Sequence, residues 1–386
     1  EMNYLDYLKE IISIPSYFDD QHTENKLIAY IEKIFKNRPE FNLKVQKVSQ
    51  DRQNIIISDS HPKKVVLFGH LDTVEPKQET VKPFNPRIEG DKIYGLGSVD
   101  MKAGVAVMLD IALNHHHPGT AYVFSVDEEY EFRGAIKLKN ISDIKPDWII
   151  NLEPTDNNIL NGCRGITEFS FNVKGKSVHA SRKNEGINAI EKSVELVNRI
   201  QSEITKSDTQ EGNKNSINLS YLHGGVLKSI DGNGNPVLSG LGMVVPNYAH
   251  VNCEIRVAND KIITKNYIIK LIKKTAKDLN ITISDISFKF YLGALFTPRK
   301  DLELFEQSLK NVGLKANYLN VNYAGFYEVQ LLQENWKGKT VIFGPGPMSA
   351  AHTANEYCLI STIQKTKNVI IDFLNNITKS TQNPSS

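Results

Sequence analysis

Cysteine is scarce in this 386-residue chain: Cys163, Cys253 and Cys358 are odd in number, far apart and never in a CxxC pair. That excludes a disulfide framework and a thiolate metal site, and it fits small buried thiols in a reducing, cytoplasmic setting. Long apolar runs are missing too. None approaches the ~20 residues needed to span a bilayer, so no membrane partner is expected. The opening EMNYLDYLKE lacks a basic stretch followed by an apolar one and does not read as a secretory signal. Charge of one sign is also absent. The formal net charge is +2, lysines and glutamates are interspersed, and no arginine-rich or aromatic-interleaved stretch points to nucleic acid.

What is present is an ordinary globular composition, 40% hydrophobic and 23% charged, in a chain long enough for one large domain plus a smaller one. Helical signals at 4–14 and 24–35 come first. Strand signals follow at 53–58 (QNIIIS), 64–68 (KVVLF), 121–126 (AYVFSV), 147–152 (DWIINL) and 340–343 (TVIF), with a helix expected at 102–114. Short, nearly all-apolar strands separated by helices predict an α/β fold, a mostly parallel sheet flanked by helices. Between 167 and 290 the pattern becomes β-α-β-β-α-β, the split βαβ signature of a small α+β domain. The chain therefore divides into 1–166, an insertion at 167–290, and 291–386, which ends in a polar tail expected to be disordered.

The chemistry-bearing residues fall where strands end. VVLF leads into His70 and Asp72, AYVFSV into Asp127, Glu128 and Glu129, WIINL into Glu153, and TVIFGPGPMSAA into His352. Asp100 lies in the glycine-rich GLGSVDMKAG that opens the 102–114 helix. Ligand crevices of open α/β sheets form at the carboxyl ends of the strands, so these groups can converge. Each has a bland alternative. His70 could be a core histidine satisfied by Asp72, Asp100 a helix cap, and Glu128–Glu129 a solvated strand end. Five such positions mixing imidazole and carboxylate without thiolate instead suggest zinc or a similar divalent ion. Successive strand residues point to opposite sides, so Glu128 and Glu129 could divide labour between base and ligand.

GHLDTV (69–74), GLGSVDMKAG (95–104), DEE (127–129), NLEPT (151–155), GKSVHAS (175–181) and the late His352 resemble the M20 family of metallopeptidases. The resemblance implies a zinc-peptidase-like α/β catalytic domain, formed by 1–166 and 291–386. It makes 167–290 a ferredoxin-like lid or dimerisation domain, giving a possible homodimer. It also implies two divalent metal ions, zinc or else cobalt or manganese, bridged by Asp100. His70 and Glu153 would complete one site, Glu129 and His352 the other. Glu128 would be the general base for a metal-activated water, Asp72 the partner of His70, and His179 the group reaching the oxyanion. Arg256, Arg164 and Asn252 would meet the substrate carboxylate. The peptide after the bridging Asp100 would be cis.

The implied reaction is hydrolysis of an amide in a small N-acyl amino acid or peptide with a free carboxylate. Deacylase, di- or tripeptidase and carboxypeptidase all stay open. A non-catalytic metal- or ligand-binding module is the reading from another class, and the intact Glu128 stands against it. Two departures from relatives touch recognition. Met243 occupies a place often held by asparagine, and Ala324-Gly325-Phe326-Tyr327-Glu328 replaces a Ser/Thr-Asp segment. Asp231-Gly-Asn-Gly-Asn235 looks like the start of a calcium loop, but Pro236 stands where glycine is required, so a hairpin turn is expected. His115-His116-His117 reads as a solvated turn after a helix end, and Gly95 and Gly97 make no phosphate loop because no GK[ST] follows.

Overall fold

The computed structural model describes residues 2–19, 24–209 and 212–382. They fall into two compact units. The first comprises Glu1–Gly162, Leu295–Val321 and Tyr327–Ser386, the second Cys163–Ala294 and Asn322–Phe326. The insertion thus begins four residues earlier and ends four residues later than the sequence pattern placed it, and takes up a short later segment.

In the first unit six strands make one sheet, in the order Asn42–Lys47, Gln53–Ser58, Thr120–Ser125, Val65–His70, Trp148–Asn151, Lys339–Ile342. The last three junctions are parallel and the first two antiparallel. Val65–His70 and Thr120–Ser125 are buried along their whole length, as strands covered on both faces must be. Their covering includes the helices Tyr4–Ile12, Asn25–Phe35, Lys102–Asn114 and Ile360–Gln382, whose buried side chains share a single core with the sheet. The tail expected to be disordered instead continues the last helix to Gln382, and 383–386 lie outside the described residues. Extending an existing helix costs far less than nucleating one, so weak polar formers can follow a packed helix. Helices Glu303–Asn311 and Val329–Trp336 were not among the elements expected from the sequence. Among the described residues no helix is long and apolar enough to cross a membrane.

Two backbone approaches explain small residues near the strand ends. A Cβ at Gly104, in the first turn of Lys102–Asn114, would lie 2.5 Å from the Leu152 carbonyl oxygen. One at Gly344 would lie 2.3 Å and 2.4 Å from the carbonyl oxygens of Leu152 and Glu153. Gly344→Ala is therefore expected to cost about 1–3 kcal/mol of stability by overpacking. Urea unfolding measures this, and an unchanged midpoint would refute the close-approach argument.

The histidine triplet follows the helix end as expected, with His116 exposed and His115 and His117 partly buried. His116 lies 3.4 Å from Asp59 and packs edge-on against Phe41 at 4.8 Å, while burial, with His116 and His115 beside it, pulls His117 down to about 4. A depressed imidazole makes the unfolded chain bind more protons between about 4 and 6.5. Its contribution is thus full above about 6.5 and fades as pH falls towards 4. In urea titrations from pH 7 to 4, wild type should lose more stability than His117→Gln, and parallel curves would contradict the assignment.

The second unit is a five-stranded antiparallel sheet ordered Pro236–Ser239, Ser216–Ile230, Tyr248–Val257, Gly165–Lys174, Thr282–Leu292. Helices Ala189–Ile204 and Lys265–Asp278 cover one face, giving the ferredoxin-like β-α-β-β-α-β order with one extra short edge strand, Pro236–Ser239, after Ser216–Ile230. Strict alternation in Tyr248–Val257 buries Ala249, Val251, Cys253 and Ile255 under those helices and turns His250, Asn252, Glu254 and Arg256 to the other face. The Asp231 loop is a hairpin turn, with Asp231 Oδ1 accepting from the Asn233 and Asn235 N–H groups at 2.9 and 2.7 Å.

Candidate metal centre

The parallel register sets the site. His70 is the last residue of its strand and pairs with Ser125, so Asp127–Glu129 emerge at the same edge; Phe68 pairs with Asn151, which places Glu153 there as well. His70 Nε2 lies 3.2 Å from Asp100 Oδ1 and 3.4 Å from Glu153 Oε1. His352 Nε2 lies 3.3 Å from Asp100 Oδ2 and 3.1 Å from Glu129 Oε1. The two oxygens of Asp100 thus face different imidazoles. Ligand atoms of His70–Asp100–Glu153, of Asp100–Glu129–His352 and of His70–Glu128–Glu129 each lie within 4.8 Å of one another. Asp100 is not a cap: the residue flanking the helix is Met101, with no side-chain cap bond, and the Asp100–Met101 peptide is cis.

This donor set fits divalent cations. It combines imidazole nitrogen with carboxylate oxygen, and its carboxylates outnumber its imidazoles in a buried place. Burial, reinforced by Asp100 and Glu129 against the pull of His70, pushes Glu153 up to about 7. Burial also raises Glu128 well above the usual carboxylate range, with Glu153, Glu328 and Glu129 adding to it and His70 opposing. Hydrogen bonds to Asp100 and Glu129 raise His352 to about 10. Burial alone would lower His70, but Glu153, Asp100 and Asp72 together raise it. The carboxyls are raised first by burial and then by one another, and the imidazoles by the carboxylates they face.

Asp72 is fully buried and its Oδ1 lies 3.6 Å from His70 Nδ1, but the nearer acceptor to that nitrogen is the Asp72 carbonyl oxygen at 3.0 Å. The carboxylate oxygens accept instead from the backbone N–H groups of Glu128 and Glu129, at 3.2 and 3.1 Å. Asp72 therefore holds the turn that carries Glu128 and Glu129 as well as facing His70.

The other expected residues belong to the second unit. His179 is exposed and its Nδ1 lies 2.8 Å from Ser181 Oγ. Arg256 pairs with Glu254 at 2.7 Å and stacks 5.7 Å from the Phe326 ring centroid. Arg164 donates to the carbonyls of Lys214 and Asn322 and to Ser216 Oγ, and burial lowers its guanidinium, with Arg256 nearby adding to the effect. The buried Asn252 Oδ1 has no hydrogen-bond partner among the described residues. Met243 is exposed.

The sequence did not mark Glu356, Lys102 or Arg52 near the centre, and it offered Glu328 only as part of a recognition segment. The Glu356 carboxylate accepts from the N–H groups of Gly97, Val99 and Asp100, at 2.9, 2.9 and 3.1 Å, and so pins the glycine-rich loop. Lys102 is buried and donates to the carbonyls of Ile11 and Ile14, both at 2.9 Å, and burial pulls it down to about 7 against Glu356. Glu328 is buried against Ser125, and burial raises it to about 8. Arg52, deeply buried, carried no signal in the polar run SQDRQN. Glu356 had a faint one, an acid four residues after His352.

A sheet whose parallel strand ends gather imidazoles and carboxylates of this kind defines a metallopeptidase-type hydrolase. The chain belongs to peptidase family M20/M25/M40, which matches residues 66–376. It is 29% identical over 327 residues to acetylornithine deacetylase of Buchnera aphidicola subsp. Acyrthosiphon pisum (strain Tuc7), covering 81% of this chain and 80% of that one. In fold it resembles a tripeptidase from Staphylococcus aureus (TM-score 0.70, 19% identity, 98% of each chain). It also resembles a Bacillus subtilis protein described as a dinuclear metal-binding peptidase of the M20 family (TM-score 0.66, 12% identity, 98% of each chain). The chain is accordingly an M20-family hydrolase of amide or peptide bonds.

Proposed function

We propose that the chain hydrolyses the amide of a small N-acyl amino acid or short peptide bearing a free carboxylate, with two divalent ions at the strand ends. The observation that carries this reading is Asp100, whose two oxygens face His70 and His352 separately. His70 and Glu153 would hold one ion, Glu129 and His352 the other, and Asp100 both. Bound there, zinc (or cobalt or manganese) would supply Lewis acidity towards carbonyl and water and offset the crowded carboxylates. Glu128 takes a proton from the attacking water and returns it to the leaving nitrogen, a role suited to a carboxyl whose proton affinity burial has raised. Asp72 fixes the Glu128 backbone while this happens. His179 serves the oxyanion, and Arg256, Arg164 and Asn252 serve the substrate carboxylate.

The deacylase form is preferred because acetylornithine deacetylase covers most of the chain at 29% identity; a di- or tripeptidase is the second reading, favoured by the tripeptidase fold match. Homodimerisation through the second unit belongs to the same reading, supported by the exposed Leu241 and Met243 beside an edge strand. A cytoplasmic setting is supported by the three buried thiols. To test the function, protein stripped by chelator is reloaded with Zn²⁺, Co²⁺ or Mn²⁺ and offered N-acyl amino acids, dipeptides and tripeptides. Release of free amine from at least one class is expected. No release with any metal would overturn the proposal.

A further inference from the structure

Beside the centre lies a buried ion cluster that the proposed chemistry does not use. Arg52, 1% exposed, donates Nε to both oxygens of Glu24 at 3.0 and 3.2 Å and also bonds Glu24 Oε1 through Nη2. Its Nη1 bonds Asp127, and its Nη2 lies 3.8 Å from Asp72. The Phe18 and Tyr130 rings lie 4.7 and 5.6 Å from the guanidinium carbon. One buried cation thus joins three buried carboxylates, and each carboxylate would be strongly destabilised if left alone there.

Two of those carboxylates grip the turn that bears Glu128 and Glu129. Asp72 takes both of their N–H groups, and Asp127 directly precedes them. The turn itself is unfavourable as free chain, because Asp127 (φ 73°) and Phe132 (φ 57°) are both left-handed without being glycine. Asp127 is held from its other side by Arg133, whose Nε donates at 2.6 Å and whose backbone N–H donates at 3.1 Å. A planar, permanently charged fork is the side chain able to face three carboxylates at once, whereas a lysine ammonium is a point charge.

We infer that Arg52 is a positioning residue for the reaction, clamping Glu24, Asp72 and Asp127 so that the Glu128–Glu129 turn keeps its left-handed geometry and aims the Glu128 carboxylate. The aim of Glu128 rests on the functional reading above; the clamping of the turn does not. Arg52 is buried and bonds to the clamp carboxylates, none of which is among the proposed metal ligands or the base, so its loss lowers kcat through Glu128 and leaves substrate affinity alone.

The test compares wild type with Arg52→Lys, Arg52→Met and Glu24→Gln in the full chain. It reads kcat and KM, bound metal, and hydrogen exchange of the peptide containing the Glu128 and Glu129 amides. For Arg52→Lys the expectation is a fall in kcat of about 10–100-fold, KM within about twofold, retained metal and faster exchange at those amides. A folded, metal-loaded variant with wild-type kcat and unchanged exchange would overturn the inference, as would a fall in kcat that tracks metal loss alone. If both Arg52 variants fail to fold, Glu24→Gln decides: a smaller kcat-only loss with faster exchange supports the clamp, and wild-type behaviour refutes it. If wild type releases no amine from any substrate, the functional reading fails separately. The exchange comparison then still decides whether Arg52 holds the turn.

Discussion

Glu128→Gln is expected to lower kcat by about 10²–10⁴-fold, the usual worth of a positioned general base, while bound metal stays near the wild-type level. The substitution keeps shape and volume and removes only the capacity to accept a proton. The turn should survive, because Asp72 holds it through the backbone N–H groups of Glu128 and Glu129, not through the Glu128 side chain. Glu129 remains free to contact His352 at 3.1 Å. Steady-state kinetics on whichever amide the screen identifies, together with elemental analysis of the same sample, measures both halves. Activity within about tenfold of wild type would remove Glu128 from the base role. Wild-type activity lost together with the metal would instead make Glu128 a ligand, an outcome the third ligand-type grouping, His70–Glu128–Glu129, keeps concrete.

The second large effect is expected at Asp100. Its Oδ1 faces His70 and its Oδ2 faces His352, so Asp100→Ala takes one donor from each ligand trio at once. Metal content should fall at least about tenfold for both ions, given that even partners outside the ligand set are worth 10–100-fold in affinity. Glu153→Ala and His352→Ala, each in one trio only, should each lose a single ion. Binding to the folded chain alone stabilises it by about 2.7 kcal/mol when free metal is 100 times the dissociation constant. Chelation should therefore lower the melting temperature of wild type and leave that of Asp100→Ala unchanged. An Asp100→Ala protein that holds two ions, or loses only one, would end the shared-carboxylate arrangement.

The small insertion was legible almost strand for strand, because alternation such as that of Tyr248–Val257 is written into neighbouring residues. The helix Lys102–Asn114 was legible for another reason: it is a continuous run of small and apolar residues, too long for a strand, and almost all of it is buried. Helix Val329–Trp336 was not. Its short stretch VQLLQENW has too few turns to show a period, and its burial comes from elements far away in the chain. The partial burial of the histidine turn was not legible for a related reason, since the ring that His116 packs against is Phe41, some 75 residues earlier by numbering.

The same division runs through the centre. The types of donor and their places at strand ends are local facts, and the sequence by itself determined them: His70, Asp100, Glu129, Glu153 and His352 each follow a strand or open a helix that composition alone reveals. Which oxygen meets which imidazole is not local. The contacts of Asp100 to both His70 and His352, the grip of Asp72 on two backbone amides, the Glu356 carboxylate bonded to loop amides 256 to 259 positions away and the Arg52–Glu24 pair 28 apart exist only once the chain has folded. Buried charges demand partners wherever the chain can supply them. A sequence shows that such groups are present, and only the packed fold decides which of them meet.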